Sequence, residues 1–289
     1  MLEDGFMSNA PVTTRAIPAR TIKVRRPGLS FDEMPKHFVA DDPMRSHIAA
    51  MLSAVFPEGE DFFVRSVRNY RDRVTDPELK AQVAGFIGQE ALHGREHRHF
   101  NERLAELGYP TRFVDRQVKH GLWVLGRVAP KPVQLAVTAG LEHYTATLAE
   151  TLLRHETSMD EFATDEIRTL FSWHALEESE HKSVAYDVYQ QMSGNQFIRR
   201  VTMWVIHVSF ATAMAATVAL SIARDRTVRR RPRALLRSVR ALRTHPFASR
   251  DTLRRLRDYD RRDFHPDDHD TSDLLVQWRG QLAGLSGAA

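Results

Sequence analysis

Two stretches of this chain repeat one spacing of metal-binding side chains. Gln89 to His97 reads QEALHGREH, and Trp173 to Tyr189 reads WHALEESEHKSVAYDVY. Each holds a Glu-x-x-His, formed by Glu90 with His93 and by Glu178 with His181. Residues three and four apart share one face of a helix, so each pair offers a carboxylate and an imidazole to the same point. His174 lengthens the second set to His-x-x-x-Glu-x-x-His. Carboxylate and imidazole together suit a first-row transition ion. Either pair alone is weak evidence, because Glu and His are common on solvated helix faces. His174 reads equally as a ligand or as a residue packed beside Trp173. Two Glu-x-x-His helices, joined by two helices that each give one inward Glu, make up the ligand set of a dinuclear four-helix site.

The flanking elements determine whether those parts exist. Asp42-Pro43 is a capping residue followed by a first-turn proline, and it opens a short helix over 44–56 that Pro57 should end. A second helix over 58–73 carries Glu60. Asp76-Pro77 opens a third that runs to Gly108-Tyr109-Pro110 and carries Glu90, His93 and His97. Residues 112–128 read as a helical crossover closed by Pro130 and Pro132. A fourth helix over 132–155 carries Glu142, and a fifth over 164–192 carries the second motif. Strand signals are lacking. About the turns near Thr75 and Met159, Glu60 faces Glu90 and Glu142 faces the His174–His181 stretch, each roughly 20–25 Å along its helix at about 1.5 Å per residue. The expectation is an all-α, ferritin-like four-helix bundle with one long crossover. Glu60 alone reads as a helix-start carboxylate, with Glu58 and Asp61 as rivals, and Glu142 alone as a solvated residue. His97 and His143 read as outer or packing groups. Glu96, Glu177 and Glu180 fall off the ligand stripe.

Composition narrows the chemistry. The 289 residues include no cysteine, which excludes disulfides, thiolate zinc sites, iron–sulfur clusters and cysteine nucleophiles. Gly-rich phosphate loops and nucleophile elbows are lacking too. The net charge is only +4, but the positive excess gathers after Arg224. Between Val201 and Ala223 no residue is charged, a length sufficient to cross a bilayer. The Arg-dense stretch that follows suits an anionic lipid surface better than a DNA groove. Four regions result: an extended N-terminal arm over 1–40, the metal-binding bundle over 41–195, an apolar helix over 196–224 that is buried, monotopic or transmembrane, and a basic helical tail over 225–289. HPDDHD, from His265 to Asp270, reads as a solvated loop.

FPEGEDFF, GQEALHGREH, LEHYTA and WHALEESEHKSVAYDVY together resemble the bacterial family labelled "predicted metal-dependent hydrolase", over about residues 20 to 225. The ligand spacing is also similar to that of di-iron N-oxygenases of the p-aminobenzoate N-oxygenase type, whose third histidine sits as His174 does. By that resemblance Glu60, Glu90, His93, Glu142, His174, Glu178 and His181 would be the ligands.

The expected function is that of a dinuclear non-haem metal enzyme. A di-iron, O2-activating oxidoreductase on a small or lipid-like substrate is favoured, by fold analogy, with two iron ions, two manganese ions or an Fe/Mn pair. The alternatives are a hydrolase using metal-activated water and a non-enzymatic metal-binding protein. Tyr144, Tyr186 and Tyr189 are candidate neighbours of the centre. The expected setting is cytoplasmic, with inner-membrane association through 201–262, no nucleic-acid partner, and a homodimer as one assembly.

Overall fold

The computed structural model describes residues 20–286; Pro11, Arg15 and Pro18 of the N-terminal arm lie outside them. The described residues are all-α apart from one isolated antiparallel bridge between Val39 and Phe162. The helices are α1 (Pro43–Arg68), α2 (Pro77–Glu106), α3 (Thr111–Val128), α4 (Lys131–Arg154), α5 (Asp165–His181), α6 (Val184–Met192), α7 (Gln196–Arg224), α8 (Arg226–Arg229), α9 (Pro232–Ala241), α10 (Arg250–Asp258) and α11 (Ser272–Gln281). α1 packs along α2 and α4 along α5, while α3 connects the two pairs.

Two boundaries and one loop differ from the sequence expectation. Pro57 does not end a helix; it lies buried inside the 26-residue α1. A proline lacks the N–H that would bond the carbonyl four residues back, here that of Ser53. The Asn101 side-chain amide donates to that carbonyl instead, at 3.0 Å, so α2 supplies the hydrogen bond that α1 cannot. The fifth helix is interrupted at Lys182-Ser183. There the buried Lys182 ammonium reaches Glu150 Oε1 at 2.9 Å and the His269 carbonyl, and Ser183 Oγ accepts from Arg20 at 3.2 Å. HPDDHD is solvated only in part: Asp268 and Asp270 are exposed, but His265 is buried and pairs with Asp187 at 2.8 Å, and His269 pairs with Asp258 at 3.0 Å.

The arm lies across α2 at two glycines. A Cβ on Gly85 would meet Ile22 Cβ at 2.6 Å, and one on Gly88 would meet Val24 Cγ2 at 2.7 Å. Behind that contact Arg25 is driven into the interior, 5% exposed. The basic C-terminal segment folds back: Leu256, Tyr259 and Phe264 join the core around α4 and α6, and Leu274 and Trp278 join the core around α1 and α5. Arg229, Arg230 and Arg231 stay exposed.

α7 is two-faced. Met203 and Ile206 press on Gly140 of α4, so closely that a Cβ there would meet Ile206 Cδ1 at 2.6 Å. The opposite face leaves Phe197 76% and Trp204 66% exposed, together with Val201, Val205 and Val208. By length and composition α7 is the one helix among the described residues able to cross a membrane.

Candidate metal centre

Four helices converge on one buried cluster. Glu60 comes from α1, Glu90 and His93 from α2, Glu142 from α4, and His174, Glu178 and His181 from α5; all seven are at most 4% exposed. Their donor atoms fall into overlapping groups that can each hold an ion: Glu60, His93 and His174; Glu90, His93 and Glu178; and Glu90, Glu142 and His181. His181 Nε2 lies 3.1 Å from Glu90 Oε1 and 3.3 Å from Glu142 Oε2. His93 Nδ1 lies 3.6 Å from Glu90 Oε1 and 3.5 Å from Glu178 Oε1. His174 Nε2 lies 3.0 Å from Glu178 Oε1 and 3.8 Å from Glu60 Oε1. Glu90 and Glu178 therefore stand between the two halves of the cluster.

The cluster leaves its own polar atoms unsatisfied. Both carboxylate oxygens of Glu60, Glu90 and Glu142, Glu178 Oε2, His93 Nδ1 and His181 Nε2 are buried without a hydrogen bond in the protein. A buried unpaired polar group costs about 1–3 kcal/mol and a charged one more, so a fold tolerates this many only where another species completes them. Four carboxylates and three imidazoles without a thiolate fit iron, manganese or zinc. Two divalent cations would also balance the four carboxylate charges.

Each imidazole is aimed from behind. His93 Nε2 pairs with Glu177 Oε2 at 3.1 Å, and His181 Nδ1 pairs with Gln89 Oε1 at 2.8 Å. Such outer partners fix the tautomer and leave the other nitrogen free for a metal. Gln89 directly precedes Glu90, and Glu177 directly precedes Glu178. In each motif, then, the residue before the carboxylate orients the histidine of the other helix. Glu177 is in none of the groups that can hold an ion, and the polar residue shared by both motifs at that position is the signal for its role. Glu177 and Glu180 are held in turn by Arg25, whose guanidinium lies 3.1 Å from Glu177 Oε1 and 2.8 Å from both Glu180 oxygens.

His174 is oriented by a longer relay. Asn101 donates to the Ser53 carbonyl, which fixes its amide so that Oδ1 accepts from Ser53 Oγ at 2.7 Å. Ser53 Oγ then accepts from His97 Nδ1 at 2.8 Å, leaving His97 Nε2 to accept from His174 Nδ1 at 2.5 Å. His174 Nε2 thus faces Glu178 with its lone pair. Burial, with His174 and His93 close by, holds the His97 pKa well below its ordinary value, as a neutral link requires. Asn101→Ala would leave the Ser53 carbonyl bare beside Pro57. The expected loss is about 1–3 kcal/mol, read as a lower urea midpoint at unchanged m-value.

His143 packs on Tyr259 and bonds the Arg255 carbonyl at 2.9 Å, away from the cluster. Glu58 pairs with Lys119 and Asp61 with Arg98, which leaves Glu60 as the inward acid of α1. The phenols also face elsewhere: Tyr144 bonds His207, Tyr186 the Phe264 carbonyl and Tyr189 the Asn195 carbonyl.

Burial and the charges of Glu90 and Glu178 push the Glu142 pKa up to about 8, and burial with Glu90 raises Glu60 well above its usual range. Against burial, which alone would discharge them, surrounding carboxylates hold His93 and His181 well above theirs. In chelator-stripped protein Glu142 keeps its proton up to about pH 8, whereas an unfolded Glu loses it near 4.3. Above about pH 6.5, where buried histidines of lowered pKa such as His97 and His143 are neutral in both states, the folded state binds more protons, so stability falls as pH rises. The raised histidines act in the same direction above about pH 6.5. Thermal unfolding of stripped protein across that range measures the slope, and Mn2+ should flatten it.

His174 and Glu178 also line a cavity of about 840 Å³, walled by apolar side chains of α1, α4, α5 and α7. No curated protein and no solved structure gives a significant match to the chain. The family model described as "Predicted metal-dependent hydrolase" matches residues 23–270, and the chain belongs to that family.

Proposed function

We propose that this protein is a dinuclear metal-dependent hydrolase, with Glu60, Glu90, His93, Glu142, His174, Glu178 and His181 as ligands in a ferritin-like arrangement of α1, α2, α4 and α5. The observation that carries the reading is the set of buried donor atoms that no protein group satisfies. The family description favours hydrolysis over the oxidoreductase expected from fold analogy. When bound, such ions supply Lewis acidity and an acidified water for hydrolysis or, as an iron pair, reduction of O2. The chain's own residues do the rest. Glu177, Gln89 and His97 orient the three imidazoles, Phe56 and Phe171 shield His174 and His97, and the cavity brings substrate to His174 and Glu178 alone among the seven.

A second reading, O2-dependent oxidation, is favoured by the donor set, because carboxylate and imidazole ligands support iron in more than one oxidation state. Metal analysis of the purified chain, with esterase and amidase assays under air and under argon, separates the two. Turnover with zinc or manganese under argon supports hydrolysis. Turnover that needs both iron and O2 replaces it with oxidation, and protein that stays metal-free in supplemented medium overturns both. The proposed setting is a membrane surface, supported by the exposed stripe of α7 and the exposed arginines after it. Flotation with anionic vesicles, lost in Trp204→Glu, tests it.

A further inference from the structure

The cavity beside the cluster is long rather than round. Along α1 it is lined from Arg45 to Phe56, a rise of about 16 Å. Along α7 it is lined by Phe210, Met214, Val218 and Ile222, one per turn over about 18 Å. Two helices from distant parts of the chain thus give the same length. At the inner end the Phe56 ring lies 4.7 Å from that of His174, and Glu178 is part of the lining. At the outer end Arg45 pairs with Glu161 at 2.5 Å beside Ser158 and His245. Between the ends the lining is almost wholly aliphatic and aromatic, with Ala49, Ala149 and Ala219 keeping it open. Its volume of about 840 Å³ lies within the usual range for a bound organic ligand.

A compact polar substrate would leave most of this wall bare, and a short apolar one would not reach from the mouth to the cluster. We infer that the cavity binds a long-chain acyl or alkyl compound, with its reacting group beside Glu178 and His174 and its chain running out between α1 and α7 toward Arg45. The inference rests on the proposed metal centre for its inner end, but chain binding is measurable without turnover.

The test uses the full chain and straight-chain fatty acids as probes, competing with a polyene fatty acid whose fluorescence rises in apolar surroundings. Each buried methylene is worth about fourfold in affinity. Dodecanoate should therefore outcompete octanoate by well over tenfold, with the gain ending once the cavity is full. Ala49→Trp, about 10 Å short of Phe56 along α1, should weaken hexadecanoate at least tenfold and leave octanoate within about twofold. Ala219→Trp, on the α7 wall, is the second variant should Ala49→Trp unfold by circular dichroism. Equal affinity for all lengths, absence of binding, or folded tryptophan variants with the wild-type length profile would overturn the inference. Metal content of the same samples keeps the two readings apart. Metal without chain binding defeats only this inference, and chain binding without metal defeats only the proposed centre.

Discussion

Glu178→Ala should abolish turnover and weaken metal binding by at least tenfold, because Glu178 is the carboxylate within reach of all three imidazoles, at 3.0 Å from His174, 3.5 Å from His93 and 3.7 Å from His181. Loss of activity alone would not separate a ligand from a structural group, so Glu142→Gln supplies the contrast. Burial and two neighbouring acids raise Glu142 to a pKa of about 8, so in stripped protein near pH 7 it is mostly neutral and a glutamine copies it. The stripped variant should then unfold at or above the wild-type temperature. With Mn2+ present the order should reverse. A ligand bound only by the native state adds RT ln(1 + [L]/Kd), about 2.7 kcal/mol at a hundredfold excess over Kd, and the variant forfeits much of it. Two melting curves per protein, with and without metal, measure this. A Glu142→Gln variant stabilised by metal as strongly as wild type would remove Glu142 from the ligand set.

The second large effect lies outside the cluster. Arg25→Ala should cost about 3–5 kcal/mol, the usual penalty for removing one partner of a buried ion pair, because Glu177 loses its guanidinium partner and Glu180 keeps only Arg279 and Gln89. Glu177 would then orient His93 less firmly, and loss of such an outer partner weakens metal binding by about 10–100-fold. Arg25→Lys should recover little, since an ammonium lacks the fork that grips both Glu180 oxygens. Guanidinium unfolding and metal titration of the two variants check this. A fully stable Arg25→Ala variant would show the Arg25 clamp to be dispensable.

These two sites mark how far the sequence can be read. The cluster was legible because helical periodicity turns spacing into direction: Glu90 with His93, and His174 with Glu178 and His181, had to share faces. Distance from a turn then brought Glu60 and Glu142 to the same level. Arg25 was not legible, since an extended arm has no period, and its burial depends on Gly85 and Gly88, where Ile22 and Val24 find room. Pro57 misled for a related reason. Local chemistry says that a proline ends a helix, whereas the missing bond is made good by Asn101, a residue 48 positions from Ser53. The fold of the tail was hidden likewise, because its few apolar residues are scattered among arginines and acquire partners from distant helices, among them α1, α4, α5 and α6.

The arm and α11 meet at one carboxylate. Glu180 is gripped by Arg25 from the arm and, at 2.7 Å, by Arg279 of α11, a residue 99 positions downstream. Translation at about 5–20 residues per second leaves an interval of roughly 5–20 s between synthesis of that glutamate and of its last clamp. During that interval α5 lacks its C-terminal brace, so ribosome-bound chains halted before α11 should be cut within α5 more readily than the released protein.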